Sequence, residues 1–318
     1  MPKRTMPKKE TRSERIVAFI SNATKIGFSA LKLFLLLFFA FLFIGTFASI
    51  SPGGLGDGNV AVIPIEGLIT TGTSSAFSAA ANSKDIVELI EDASEQKRIK
   101  AILLEINSPG GAPVATDEIA SAIQSTNKTV IAVIRETGAS GAYWIATAAD
   151  KIFANRMSVT GSIGVTASGL EFSNFITEQN ITYRRLVAGK YKDVGTPWRA
   201  LGNEEQKLYQ DLLDTLHEQF ISSVSKNRNL PEEKVRELAT GWVYLGSEAK
   251  ELGLVDEIGG RKEALTYLEK SLNITAEPVE YSKPKTFFEE LTKMTSEGFY
   301  SLGQGMGSSF SNQGISLT

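Results

Sequence analysis

Four short runs in the first half of this chain are apolar at most positions and rich in β-branched residues: Val60–Ile65, Ala101–Ile106, Thr129–Ile134 and Lys151–Ala154. Each reads as a strand, the first broken by Pro64 and Gly67 and the second (AILLEI) as a buried one. Between them lie segments with helical character. Asp85–Glu95 places apolar residues at 86, 87, 89, 90 and 93, Val114–Ser125 follows the second strand, and Ala139–Asp150 is an Ala-rich stretch suited to burial. Strands that alternate with helices of this length build βαβ units, so an α/β domain with a mainly parallel sheet is expected. Ligand sites on such sheets lie beyond the carboxyl ends of the strands. Two glycine-bearing loops, 107–111 and 136–141, fall at those ends.

Further along, Asn203 with Gln206 fits a capping box opening a helix that runs to Lys226. Its apolar stripe is Leu208, Leu212 and Leu216 with Tyr209, Leu213 and Phe220. Residues 232–251 read as helical around a Gly241–Gly246 turn, and 286–300 as weakly amphipathic. The Gly/Ser/Asn/Gln-rich stretch 301–318 has the composition of a disordered tail.

The two ends of the chain differ in charge. Residues 1–32 carry eight Lys/Arg against Glu10 and Glu14, a net +6, which leaves −9 for the remainder. A nucleic-acid binder would carry its basic excess on the folded domain. Here the excess precedes Leu33–Ile50, a run of Leu and Phe with no charged residue. With flanking positions and a snorkelling Lys32, that run can cross a ~30 Å hydrocarbon core. A cleaved signal peptide is the rival reading, but signal cores are usually ~7–15 residues and follow a shorter basic region. Positive charge before the span puts the N-terminus in the cytoplasm and the rest beyond the membrane. The expected division is a basic cytoplasmic segment 1–28, a transmembrane anchor 29–50, a linker 51–59, a catalytic domain 60–280 and a C-terminal segment 281–318.

Some chemistries are excluded at once. The chain has no cysteine, hence no disulfide, thiolate metal site or cysteine nucleophile. Its one histidine, His217, is followed by Glu218 but has Ile221 four positions on, so the zinc-protease pattern HExxH is not met. Ser140, in Gly138-Ala139-Ser140-Gly141-Ala142, suits either a helix N-cap or a nucleophile held at a helix N-terminus. The nucleophile-elbow pattern G-x-S-x-G fails at Ala142, and His217 sits within the long helix, where a packed structural role is expected. Without a histidine, a desolvated lysine can act as the base. Residue chemistry alone does not choose among the lysines.

Six segments, in order, choose. They are Ile65-Glu66-Gly67-Leu68-Ile69, Asn107-Ser108-Pro109-Gly110-Gly111, Gly138 to Ala146, Thr160-Gly161-Ser162-Ile163-Gly164-Val165, Ala188 to Val194, and Gly253 to Gly260. Over residues 60–270 the chain resembles the signal peptide peptidase A family in its short, single-domain form. The resemblance implies a ClpP/crotonase-like fold of repeated βαβ units, preceded here by one N-terminal transmembrane helix. It implies Ser140 as nucleophile and Lys192 as general base, with Lys190 a decoy because Asp193 marks the register. It implies that Ser162 orients the lysine amine and that Gly110 and Gly111 expose amides to the oxyanion. It also implies no metal or organic cofactor, hydrophobic peptide substrates such as remnant signal peptides, and a homo-oligomeric ring whose sites are shared between neighbouring protomers. Three other readings stay open: a membrane serine protease of the NfeD/stomatin-linked type, a crotonase-type acyl-CoA enzyme and a non-catalytic membrane scaffold.

Overall fold

The computed structural model describes residue 29 and residues 31–39, 57–72 and 80–282. By its internal contacts the chain divides into two units, Met1–Ser51 with Pro284–Thr318, and Pro52–Lys283. In the first unit residues 31–39 form a helix, α1, whose Leu and Phe side chains are exposed. Among the described residues no helix is long and apolar enough to cross a membrane. Most of the expected span lies outside them, as do the amphipathic stretch 286–300 and the tail.

The second unit is an α/β domain. Its main sheet runs in the order β10-β1-β4-β5-β6-β9, with β7 pairing a distal stretch of β5 and β8 pairing β7. The strands are β1 (Val60–Glu66), β4 (Ala101–Ser108), β5 (Thr129–Ala139), β6 (Lys151–Ala154), β7 (Val159–Gly161), β8 (Val243–Leu245), β9 (Glu257–Ile258) and β10 (Pro278–Glu280). Every pairing is parallel except β7 with β8, so the sheet is mixed. A separate parallel pair joins β2 (Leu68–Thr70) to β3 (Ala80–Asn82).

The central strands lack alternation because both faces of the sheet are covered. Ile63, Ile65, Ile102, Leu104 and Ile106 face one core, with α2 (Ser83–Glu95), α3 (Pro113–Ser125) and α4 (Gly141–Thr147). Val60, Val62, Leu103, Ile131, Val133 and Phe153 face the other, closed by Ala264 and Leu268 of α9 (Arg261–Leu272). At about 25 cal/mol per Å² of apolar area removed from water, these layers are what holds the unit together.

Several expected boundaries move. Pro64 does not break β1, which stays paired with β4 through Glu66. β5 runs five residues past Ile134, because after pairing with β6 it finds a second partner in β7. The helix expected over Ala139–Asp150 is consequently the short α4. Past the little helix α5 (Ser173–Glu178), the long helix α6 (Asn203–Arg228) is capped one residue earlier than expected. Glu205 Oε2 accepts from the Gly202 amide at 3.0 Å, in place of the Asn203/Gln206 pair. Residues 232–251 hold two helices, α7 (Glu232–Leu238) and α8 (Gly246–Leu252), but the turn between them contains strand β8.

Candidate active site

The site is built where β4 and β5 end. Their register shifts between Ile106 and Ser108, where the Thr137 amide donates to Asn107 Oδ1 at 3.2 Å, and pairing resumes at Ser108 with Gly138. Ser108 is fully buried and its Oγ accepts from the Gly110 amide at 3.1 Å. Gly110 stands at φ +103°, where a side chain would be strained. The Gly110 carbonyl accepts from the Ile69 amide and the Ile69 carbonyl accepts from the Ala112 amide, both at 2.9 Å. In such a parallel bridge the intervening residue, Gly111, turns its own amide to the other side.

That other side faces Ser140. The serine occupies the N-cap of α4 at φ 53°, ψ −126°, and its side chain makes no capping bond, so the hydroxyl is not spent on the helix. Its amide is pinned to the Gly161 carbonyl of β7 at 2.8 Å. Gly141 opens α4, and the amide of a first helical residue has no partner within its helix. A Cβ on Gly141 would lie 2.4 Å from Thr116 Oγ1 of α3 and 3.3 Å from the Gly111 nitrogen. The glycine after the serine is therefore required by the close approach of α4 to α3 and to the 110–111 turn. Two amides, those of Gly111 and Gly141, meet beside the Ser140 hydroxyl at a helix N-terminus. This is an arrangement suited to an oxyanion.

Ser140 lies at the junction of two cavities. One, of about 330 Å³, is walled by Val114, Val165, Leu216 and the stacked rings of Trp144 and Phe220, whose centroids are 4.9 Å apart. It has the character of a pocket for an apolar side chain. The other, of about 310 Å³, is polar and is lined by Ser162, Gln210, Asp214, His217 and Gly241 as well as Ser140. Ser162 also has positive φ, at 51°, and its Oγ donates to the Gly241 carbonyl at 3.2 Å. That bond leaves the oxygen's lone pairs free to accept.

Of the residues expected from sequence, Gly110, Gly111, Ser140 and Ser162 come together. Gly110 contributes a turn, its amide being engaged by Ser108. Lys192 is exposed and lines neither cavity of its own chain. It belongs to the stretch between α5 and α6. That stretch is held by an ion-pair chain: Arg185 to Asp193 at 2.7 Å, Arg199 to Asp193 at 3.1 Å and Arg199 to Glu205 at 2.7 Å. Its neighbour Lys190 is bound to Glu204 at 2.5 Å. Hydrogen bonds, first to Glu204 and then to Tyr191, push the Lys190 ammonium up to about 12, which keeps it protonated and unable to accept a proton near neutral pH. Gly141, Trp144, Phe220 and His217 were not read as site residues. Gly141 and Trp144 lie within the serine segment, but Phe220 and His217 carry no signal beyond their place on a helix.

The family model for peptidase family S49 matches residues 122–275, and that for Clp protease matches residues 74–168. The chain is similar to a protein from Enterococcus faecium assigned as signal peptide peptidase SppA, 35% identical over 241 residues, covering 74% of this chain and 70% of that one. It is 33% identical over 224 residues to a protein from Methanocaldococcus jannaschii assigned as a protease, covering 70% of this chain and 71% of the other. It is 33% identical over 217 residues to Protease 4 of Haemophilus influenzae, covering 67% of this chain and 35% of that longer one.

Proposed function

The chain belongs to peptidase family S49 and is a serine peptidase, and from that premise we propose that it is a membrane-anchored endopeptidase using Ser140 and Lys192 as a catalytic dyad. The observation that carries this reading is the state of Ser140. It is held at positive φ on a helix N-terminus, with an uncapped hydroxyl beside the Gly111 and Gly141 amides.

An extended peptide would place an apolar side chain between Val114, Trp144 and Phe220, with its scissile carbonyl over Ser140. A neutral lysine amine takes the Ser140 proton as Oγ attacks the carbonyl carbon. The oxyanion is met by the Gly111 and Gly141 amides. The C–N bond then breaks, and the ammonium returns its proton to the leaving amine. Water, deprotonated by the same amine, clears the acyl-enzyme. Burial disfavours an ammonium, so a lysine docked into the polar cavity beside Ser162 can act as a base near neutral pH. Since Lys192 is exposed on its own chain, the docking amine comes from a neighbouring copy in a homo-oligomeric ring. Segment 29–50 is the anchor and 60–280 the catalytic domain, on the far side of the membrane from the basic N-terminus. Hydrophobic peptides such as remnant signal peptides are the substrates that this placement and the apolar pocket suit, and one relative is named for that activity.

Two measurements test the dyad. An active-site serine acylator should label the wild-type chain at Ser140, and Lys192→Ala should abolish peptide turnover with the thermal midpoint unchanged. Near wild-type turnover in Lys192→Ala would overturn the assignment.

A further inference from the structure

The cavity walled by Val114, Trp144 and Phe220 beside Ser140 is not uncharged throughout. Asp117 and Glu118 of α3 also line it, and no lysine, arginine or histidine does. The helix explains their placement. They stand three and four residues after Val114, so they share its face of α3, about one turn farther along. Thr116, next to them, is buried and turned toward Gly141 instead. The two carboxylates differ in what holds them. Ser83 Oγ, at the start of α2, donates to Glu118 Oε2. Asp117 is exposed and has no hydrogen bond or ion pair among the described residues. Together they bring negative charge to a cavity whose remaining lining is uncharged.

We propose that Asp117 is a specificity-determining residue, selecting peptides in which the residue supplying the scissile carbonyl has an aliphatic stem and a cationic tip. This rests on the reading of Ser140 as the nucleophile of a peptidase, and goes beyond it by naming the side chain that the pocket takes. Lysine and arginine have the required form. Their stems cover apolar surface while the charged head stays near water, so the stem lies between Val114, Trp144 and Phe220 and the head reaches Asp117. An uncharged aliphatic side chain uses the same walls without the carboxylate. A glutamate side chain sets a like charge against Asp117 and is rejected. The substrates that follow are apolar peptides bearing lysine or arginine, not acidic ones.

The test compares kcat/KM of the full-length wild type, Asp117→Asn and Asp117→Lys on peptidyl amides that release a fluorophore. The peptides are identical except at the residue supplying the scissile carbonyl, which is norleucine, lysine, glutamine or glutamate. Norleucine is the uncharged counterpart of lysine, and glutamine that of glutamate, so each ratio isolates charge from size and from any general effect of the substitution. In the wild type the lysine peptide should be cut within about threefold of the norleucine one, and the glutamate peptide about tenfold more slowly than the glutamine one. In Asp117→Asn the lysine/norleucine ratio should fall about three- to fivefold and the glutamate/glutamine ratio rise as much, the size of a partly exposed ion pair. In Asp117→Lys both ratios should move further in the same directions, so that glutamate overtakes lysine. Ratios that move in neither variant, or a lysine peptide that the wild type scarcely cuts, overturn the inference; norleucine turnover with acylation of Ser140 then keeps the peptidase reading. A wild-type chain that cuts none of the four peptides and is not acylated at Ser140 overturns both.

Discussion

Five residues other than glycine have positive φ among those described: Ser140, Ser162, Asn180, Asn229 and Asn273. The three asparagines sit at the ends of α5, α6 and α9, where left-handed backbone is the ordinary way to stop a helix. The two serines end no helix; both face the polar cavity. Holding a serine there costs about 1–3 kcal/mol, and Ser140→Gly should recover about 1 kcal/mol of that. This would raise the thermal midpoint of the catalytic unit by about 2–4 °C while turnover is lost. No rise in a thermal melt would mean that the backbone stores no strain at this position. Gly111 is constrained by contact: a Cβ there would lie 2.0 Å from the Ile69 carbonyl oxygen. Gly111→Ala should displace the 110–111 turn and lower kcat by about 100-fold or more, the usual scale for one lost oxyanion donor; an unchanged kcat would free Gly111 of that role. Behind the site, Tyr143 is wholly buried and donates to the Leu254 carbonyl at 2.9 Å. Burial pushes its phenol well above the ordinary range, so the hydroxyl stays protonated and donating. Tyr143→Phe should cost about 1–2 kcal/mol in denaturant unfolding, with the acylation of Ser140 preserved.

At the scale of elements, the stretch from Gln179 to Gly202 has no regular structure, and its ion pairs take the place of a ladder. Hydrogen bonds from Arg185 and then Arg199 hold the Asp193 carboxyl below its ordinary value. Arg199, then the Gly202 amide, lowers Glu205 from 4.5 to about 2. A carboxylate whose folded pKa is depressed adds stability above its unfolded pKa and loses it as pH falls through the folded one. Amide hydrogen exchange across 179–202 should therefore show protection that is level from neutral pH to near 4.5 and declines toward about 2. Arg199→Ala should lower that protection at neutral pH and flatten its pH dependence, and superimposable profiles would count against the network. β5 shows the same dependence on neighbours in a strand. Arg135 and Glu136 end its apolar run, so sequence periodicity stops it at Ile134. The strand continues because β7, from twenty residues downstream, pairs with Thr137–Ala139 and so carries Ser140 to its place.

At the scale of the molecule, the apolar stripe read along α6 is only half used within one chain. Phe220 is buried and Leu213 and Leu216 are half-buried, whereas Leu208, Tyr209 and Leu212 are exposed. Leu186 and Trp198, from the stretch that carries Lys192, are exposed as well. These exposed apolar side chains are ones that the proposed assembly would cover. The proposed ring makes a specific prediction. Ser140→Ala and Lys192→Ala subunits, each inactive alone, should regain about a quarter of wild-type turnover when unfolded and refolded together in equal amounts, because half the serines meet an intact lysine in half the cases. A mixture as inactive as its components would place both groups in one chain.

The α/β class and the central strands were legible in the sequence because each rests on local pattern, whereas the expected roles of Ser140, Ser162, Gly110 and Gly111 came from the likeness of their segments to a family. Apolar runs, helical periodicity and glycines at strand ends are properties of neighbours in the chain. The mixed pairing of β7 with β8, the uncapped hydroxyl at φ 53°, the Gly141 amide beside that of Gly111, and the Trp144–Phe220 wall were not. Each depends on contacts between residues distant in sequence, whose energies no local window contains. His217 makes the difference plainest: along the chain it is one more residue on a helix, and only the tertiary fold sets it on the wall of the cavity that holds the serine.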